Sequence, residues 1–393
     1  MSSRPARRRS LVTLVVLTAL TAPALPSGQG VVQEHLTGLR APAKLLALPG
    51  GELLVAEAGG PGANTGRISY VDRAARRFTV IDGLPSALFL GRDASGPSGL
   101  VLGDRRLYVT IGGGDTTIAG AGANSEIPNP QVSSPLFSSV LLLEFPDAAG
   151  GFSTGFTLAR ADQDALAADR AVYLRNADGE AVRVSRLVDV PSYVAEPRPD
   201  EPRHVRTSNL YGAVGGDSGL ALVDASMNVI WTVALAPGGP LTRLAGIGSV
   251  VNPLFPSLGP PSADAVPASI RVAGDDFVIS LLTGFPFGPR AASVLRVSRR
   301  TGAVTTVATG LQTAVDVLPI PGTADEFYVV EYSSAFLAGG PGRVLRVDAT
   351  RGTTLVMADG LRTPTHLAPD TRTGDLFVTD NAGGRILRVL VPH

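Results

Sequence analysis

The chain of 393 residues contains no cysteine. That absence removes disulfide bonds, thiolate nucleophiles and cysteine-ligated zinc or iron–sulfur sites in one step. Lysine is almost as scarce, because Lys44 is the only one and arginine supplies the other basic groups. Charge is thin, at 17% of residues, and 34 basic side chains balance 34 acidic ones. A chain with no net charge has no long-range field to draw in a polyanion, which argues against nucleic acid or an anionic membrane as partner. Only four histidines occur, and they are scattered. Long hydrophobic runs are also missing: no segment reaches the roughly 20 apolar residues that cross a bilayer.

What is present begins with a targeting pattern. Arg4, Arg7, Arg8 and Arg9 precede the apolar run "LVTLVVLTAL" (11–20), and "APA" (22–24) supplies small residues suited to cleavage. Residues 1–24 therefore read as a signal peptide. "RRSLV" (8–12) suits twin-arginine export, and the general secretory route fits equally well. The expectation is an exported protein, periplasmic or extracellular, beginning near Leu25.

The rest is repetitive. "VTDNAGGRILRV" (378–389) closes the chain, and a near copy opens it as "VAEAGG" (55–60) and "GRISYV" (66–71). Related units run through "GLQTAVDVLPIPGTADEFYVVEY" (310–332), "VPASIRVAGDDFVISLLTG" (266–284), "GPSGLVLGDRRLYVTIGGGD" (96–115) and the more divergent "SNLYGAVGGDSGLALVDASMNVIWTV" (208–233). Each unit holds short runs rich in Val, Ile and Leu between Gly, Pro and Asp turns; in the first these are 45–48, 53–55, 67–71 and 78–81. Runs of that length and composition are strands. Four per unit at a period of roughly 40 to 50 residues predict an all-β fold, a six-bladed β-propeller with four antiparallel strands per blade.

The last unit stops after its third strand, while "VVQEHLTGL" (31–39) aligns with the fourth strands "TTLVMADGL" and "RFTVIDGL". An N-terminal strand at about 31–37 is therefore predicted to complete the last blade. One propeller domain over 25–393 results, with an insertion at about 150–205 between blades two and three. Within it "ADQDALAADRAVYLRNADG" (161–179) has helical spacing, and "PSYVAEPRPDEPRHVR" (191–206) reads as an exposed loop.

Alternating strand directions sort the turns into two faces. The long connections, 59–66, 112–138, 283–291 and 332–342, all join a second strand to a third and share the face where the next blade begins. Variable loops on a rigid frame are where binding resides, so the channel mouth on that face is the expected site for a small molecule or protein partner, on a chain expected to be a monomer.

Aligning the innermost strands gives one column of Lys44, Gly99, Gly212, Ser269, Asp316 and His366. A second column ends the second strands, at Glu57, Asp224, Glu331 and Asp380. The acids could face the channel, or pair within a blade as Lys44–Glu57, Asp316–Glu331 and His366–Asp380. An imidazole beside a carboxylate suits general base work, and several carboxylates suit Ca²⁺ or Mg²⁺. Glu57 and Asp316 are the metal candidates, with Asn209 or His366 as further ligands. The same charges could instead satisfy one another and plug the channel.

Other motifs carry less. "GDSG" (216–219) falls at a hairpin between strands and reads as turn chemistry, not a nucleophile. "TIGGGDTTIAGAGA" (110–123) lacks the Gly-Lys-Ser/Thr that completes a phosphate loop and is expected to form a flexible lid. Trp231 sits in an apolar strand as a core residue.

The segments "LLTGFPFGPRAASVLRV" (281–297), "SGPSGLVLGDRRLYVTIGGG" (95–114), "SNLYG" (208–212) and "DASMN" (224–228) resemble the ScyD/ScyE family of exported propellers over the whole mature chain. Leu210, Ala225 and Ser226 depart from its pattern. The resemblance implies an exported six-bladed propeller whose wider kin are NHL-repeat, gluconolactonase-like and strictosidine-synthase-like proteins, some holding a divalent metal at the channel mouth. Two functions follow as alternatives: a non-catalytic binding or scaffold propeller, or a metal-assisted hydrolase or lyase acting on a small cyclic or phenolic compound. A third, a cell-surface adhesion module, would need a large exposed apolar patch.

Overall fold

A computed structural model describes residues 30–122, 124–146, 155–216 and 219–391. Residues 1–24, expected from the sequence to be a signal peptide, and the two central residues of "GDSG" lie outside the described residues. The strands form six blades around an axis. Blade 1 runs through Pro42–Ala47, Leu53–Glu57, Gly66–Val71 and Arg77–Leu84. Blade 3 comprises Leu210–Gly215, Gly219–Asp224, Val229–Ala234 and Leu241–Gly246. Blades 4 and 5 repeat the order from Pro267–Ala273 and from Ala314–Pro319.

Blade 6 holds Pro364–Pro369, Leu376–Asp380 and Arg385–Val389, and its fourth strand is Val32–Leu36 from the other end of the chain. Val32 lies opposite Val389 and Glu34 opposite Leu387. Closure in this way pairs the third strand of blade 6, which would otherwise be an open edge.

The core is divided among the blade interfaces. Leu45, Leu53 and Val55 of blade 1 pack on Ala368, Phe377 and Ile386 of blade 6. Val278, Val294 and Val317 do the same between blades 4 and 5, with Phe327. Alternating side chains on each strand thus face two neighbouring blades. Each fully buried aliphatic or aromatic side chain contributes roughly 1.5–3 kcal/mol.

Blade 2 departs from the expected plan. Its first three strands are Pro97–Leu102, Arg106–Ile111 and Ser139–Glu144, and its fourth is Ala181–Asp189. The stretch 150–205 is therefore not one insertion between blades, because a regular blade strand runs through it. The apolar beat of Val182, Val184 and Leu187, all buried, marks that strand. The excursion before it adds Val172–Arg175 to blade 2 and sends Phe156–Thr157 back to pair in parallel with blade 1, Phe156 opposite Ile81. The helix of the excursion is shorter than its pattern, Arg160–Ala167. Gln163 pins it, donating to the Gly83 carbonyl and accepting from Ser134 Oγ.

The charge-rich segment that follows is a ladder and not a loop: Tyr193–Ala195 pairs with Val205–Thr207. Glu201 in its turn accepts from the Ala121 N–H at 2.9 Å, and His204 Nδ1 accepts from the Glu126 N–H at 3.0 Å. Charged residues there are held by local partners, which composition alone does not reveal.

Candidate functional site

Every blade carries the same irregularity at the start of its innermost strand. The register slips between Pro42 and Lys44, Pro97 and Gly99, Leu210 and Gly212, Pro267 and Ser269, and Ala314 and Asp316. In blade 6 the slip lies between Pro364 and Leu367. A bulge leaves its extra residue unpaired and re-aims the side chain. The residues so released are Ala43, Ser98, Tyr211, Ala268, Val315 and Thr365, and all six line a cavity of about 280 Å³ at the channel mouth.

Loops of the same face complete this cup. Phe287 comes from the second-to-third connection of blade 4, and Tyr332 and Phe336 come from that of blade 5. Phe287 and Phe336 stack with ring centroids 4.0 Å apart, and Tyr332 follows at 6.1 Å. A small hairpin between blades 1 and 2, Ala87–Phe89 with Asp93–Ser95, adds Phe89, Asp93 and Ser95. Asn209 and Asn381 supply amides. Asn209 Oδ1 accepts from the Gly113 N–H at 3.1 Å.

The predicted inner column lies one residue further along each strand, below the cup. Gly99 and Gly212 are backbone-only positions there, and the other four form a connected floor. Lys44 crosses the channel, donating from Nζ to the Ala268 carbonyl at 3.0 Å, with the Tyr211 ring centroid 4.4 Å away. Asp316 Oδ2 accepts from Arg271 Nη2 at 2.9 Å and from the Leu367 N–H at 2.7 Å. His366 Nδ1 accepts from the Leu45 N–H, while Nε2 faces Arg271 at 2.7 Å and Asp316 Oδ2 at 3.6 Å. Ser269 Oγ accepts from the Val317 N–H and shares a hydrogen bond with Ser280. Arg271, which closes this network as the one charged residue of blade 4's inner strand, was missed from the sequence. Its signal was an arginine inside an otherwise uncharged, largely apolar strand.

Burial sets the protonation of the floor. It lowers the Lys44 ammonium to about 8, partly opposed by the nearby Asp316 charge. Burial, with Arg271 and Lys44 beside it, holds His366 well below its ordinary range, so the ring is neutral. Asp316 Oδ1 is buried without a hydrogen-bond partner among the described residues.

The predicted second column does not meet the first. Glu57, Glu331 and Asp380 pair instead with Arg67, Arg343 and Arg385, each at the start of the third strand of its own blade. The acids also accept backbone N–H groups: Glu57 from Arg40, Glu331 from Gln312 and Asp380 from Gly383. Asp224 has no arginine and uses Ser208 Oγ, Asn209 N–H and Met227 N–H. Burial pushes the Asp224 and Glu331 carboxyls up, against those hydrogen bonds. Register explains the outcome, because Glu57 lies opposite Pro42 and Arg67, not opposite Lys44. These acids tie the entry of blades 1, 3 and 5 to the rest of the same blade, and in blade 6 the turn between the second and third strands.

The metal candidates behave accordingly. Glu57 has both oxygens on Arg67 and Ser69, in blade 1, and Asp316 is committed to Arg271 in blade 5. Among the described residues no three His, Asp or Glu side chains are grouped as a metal would need. This donor set, already neutralised by arginines, does not fit a resident divalent cation.

The glycine run is no lid. Gly112, Gly113 and Gly114 are buried, and a Cβ on Gly114 (φ 54°) would strike the Phe137 ring. The run is a packing device that lets the loop lie on Phe137 and Ser208.

Models of known protein families do not match the chain, and neither do curated proteins. Among solved structures it is similar to a Thermus thermophilus oxidoreductase described as a glucose dehydrogenase, at 18% identity over 92% of this chain and 100% of that one, TM-score 0.46. It is similar to a streptogramin B lyase at 13% identity over 92% and 98%, TM-score 0.43. It is also similar to an inactive variant of virginiamycin B lyase from Staphylococcus aureus with quinupristin, at 12% identity over 93% and 100%, TM-score 0.43. Likeness this distant carries no activity across. No helix among the described residues is long and apolar enough to cross a membrane.

Proposed function

We propose that the chain is an exported ligand-binding propeller of the ScyD/ScyE type, which holds a small, largely apolar ring compound in the cup at the channel mouth. The observation that carries this reading is the contrast within one cavity. Its wall is aromatic, from Phe89, Tyr211, Phe287, Tyr332 and Phe336, and most of its polar side chains are tied to the frame, leaving two phenols free. The Tyr211 and Tyr332 hydroxyls have no partner among the described residues. Mostly apolar pockets with a few placed polar groups are the usual form of small-molecule sites.

The floor supports binding without a reaction at the axis. Every charged group there is engaged by another protein group, and the acids considered for a cation are held by arginines. Export rests on the segment 1–24 and predicts that the mature protein, beginning near Leu25, is recovered outside the cytoplasm.

The test uses 2-naphthol, an uncharged two-ring probe, with the mature protein. Saturable binding at one site is expected, read by probe fluorescence and calorimetry. The double variant Phe287→Ala/Tyr332→Ala should weaken it at least tenfold while unfolding cooperatively like the parent. Undiminished binding in that variant, or none in the parent, would remove the cup as the site.

A further inference from the structure

Resting on the cup as the binding site, we infer that its ligand is a small organic cation, an aromatic or alkylated ammonium whose charged end lies at the rim beside Asp93. The charge inventory of the wall points there. Not one Arg, Lys or His lines the cavity, and Asp93 is its only acid. The Asp93 carboxylate makes no ion pair or hydrogen bond among the described residues, whereas the acids ending the second strands are all engaged. Its neighbour Arg92 is exposed but is not part of the wall.

The rings around Asp93 add to this. Its charge reaches the Tyr211 and Tyr332 phenols and adds to the burial that raises both. A cation over aromatic faces gains about 0.5–1 kcal/mol when exposed and about 2 or more when desolvated. Phe287, Tyr332 and Phe336 provide such faces within one stacked group. The inner face of the cup has the opposite sign. Lys44 Nζ lies beside the Tyr211 ring at the floor, so that ring is already occupied by a cation. The cavity is thus polarised along its axis, with negative charge at the mouth and positive charge beneath. A ligand fits it with the ammonium outward and its uncharged ring body inward. A carboxylate or phosphate in the cavity would lie beside Asp93 with no arginine in the wall to receive it.

The experiment compares three probes of similar shape on the mature protein: benzyltrimethylammonium, its uncharged isostere neopentylbenzene, and phenylacetate. Calorimetry and ligand-detected NMR at two salt concentrations give the affinities. The cation should bind at least tenfold more tightly than phenylacetate and more tightly than neopentylbenzene, with the preference shrinking as salt rises. Asp93→Asn should weaken the cation about fivefold or more and leave neopentylbenzene unchanged. Equal or tighter binding of phenylacetate, or indifference of the cation to Asp93→Asn, overturns the inference and leaves the cup reading standing if 2-naphthol still binds there. Failure of all three probes together with 2-naphthol removes both.

Discussion

The cup and the floor beneath it are built from the same six strands, one residue apart, yet they are chemically opposite. Ser98, Tyr211, Ala268 and Val315 sit at bulges and face an open cavity. The next paired residues include Ser269 and Asp316, whose polar atoms bridge between blades. For the charged groups, partnering and not polarity separates the two layers, since the cup hydroxyls of Ser98 and Thr365 are themselves bonded to neighbouring blades. A charge whose hydrogen bonds are spent inside the protein is part of the frame. A carboxylate or hydroxyl with none spent is available to something from outside.

The sharpest way to break this contrast is to remove a floor charge. In Asp316→Ala, Arg271 loses its carboxylate and the Leu367 N–H loses its acceptor. Breaking a buried pair costs about 3–5 kcal/mol, and the low end is expected here because the Arg271 side chain keeps 22% of its surface exposed. Denaturant unfolding of the mature protein measures it. A cost below about 1 kcal/mol would mean that the floor is not held by its charges. The double variant Asp316→Leu/Arg271→Met should recover much of the loss, since a well-packed apolar replacement avoids the desolvation of both ions.

An effect no larger than this comes from the lone lysine, and it depends on pH. The folded ammonium titrates at about 8, against about 10.4 for an unperturbed lysine. Where the unfolded chain binds the extra proton, stability rises with pH. Lys44 therefore opposes folding fully below about pH 8, and the penalty fades as pH climbs toward 10.4. The span is on the order of 3 kcal/mol. Lys44→Met should erase this part of the pH dependence. Because no other lysine exists, NMR of lysine-labelled protein should show one side-chain resonance moving with a midpoint near 8. A midpoint at the ordinary value would mean that Lys44 is solvated and the floor open.

These layers were unequally legible in the sequence. The blade count and ring closure follow from repeat period and from the missing fourth strand, because each blade must bury two faces and pair its edges. The arginine partners were also visible: "GR" marks the start of the third strand in the blades bearing Glu57, Glu331 and Asp380, while blade 4, with Leu281 in place of the acid, has Ser293 in place of the arginine. In those three blades each group is the other's counter-charge, whereas Asp224 of blade 3 relies on a hydroxyl and backbone N–H groups instead. The bulges were hidden. A one-residue slip alters no composition and no period, yet it moves the cup wall from Lys44, Ser269 and Asp316 to Ala43, Ala268 and Val315. The aromatic wall came from loops of differing length, where alignment of repeats gives no register. Asp93 sits on a small hairpin between blades 1 and 2, outside the four-strand repeat.

Asp93 is also where the contrast can be sharpened with the smallest effect. Asp93→Asn changes a carboxylate to an amide of nearly equal shape, a milder change than Asp316→Ala, but the main difference lies in the surroundings. Asp93 is exposed and has no partner among the described residues to lose, and surface substitutions away from special contacts stay within about 0.5 kcal/mol. Unfolding free energy should therefore be unchanged within that limit. Asp316→Asn is the matched control, since its amide removes the ionic half of the Arg271 contact in a buried setting. If the two amide variants lose equal stability, Asp93 is a structural acid like Glu57, and the distinction between a frame charge and a free one fails at the rim. If only Asp316→Asn loses stability, the rim carboxylate contributes nothing to holding the propeller together and is free to act on a ligand.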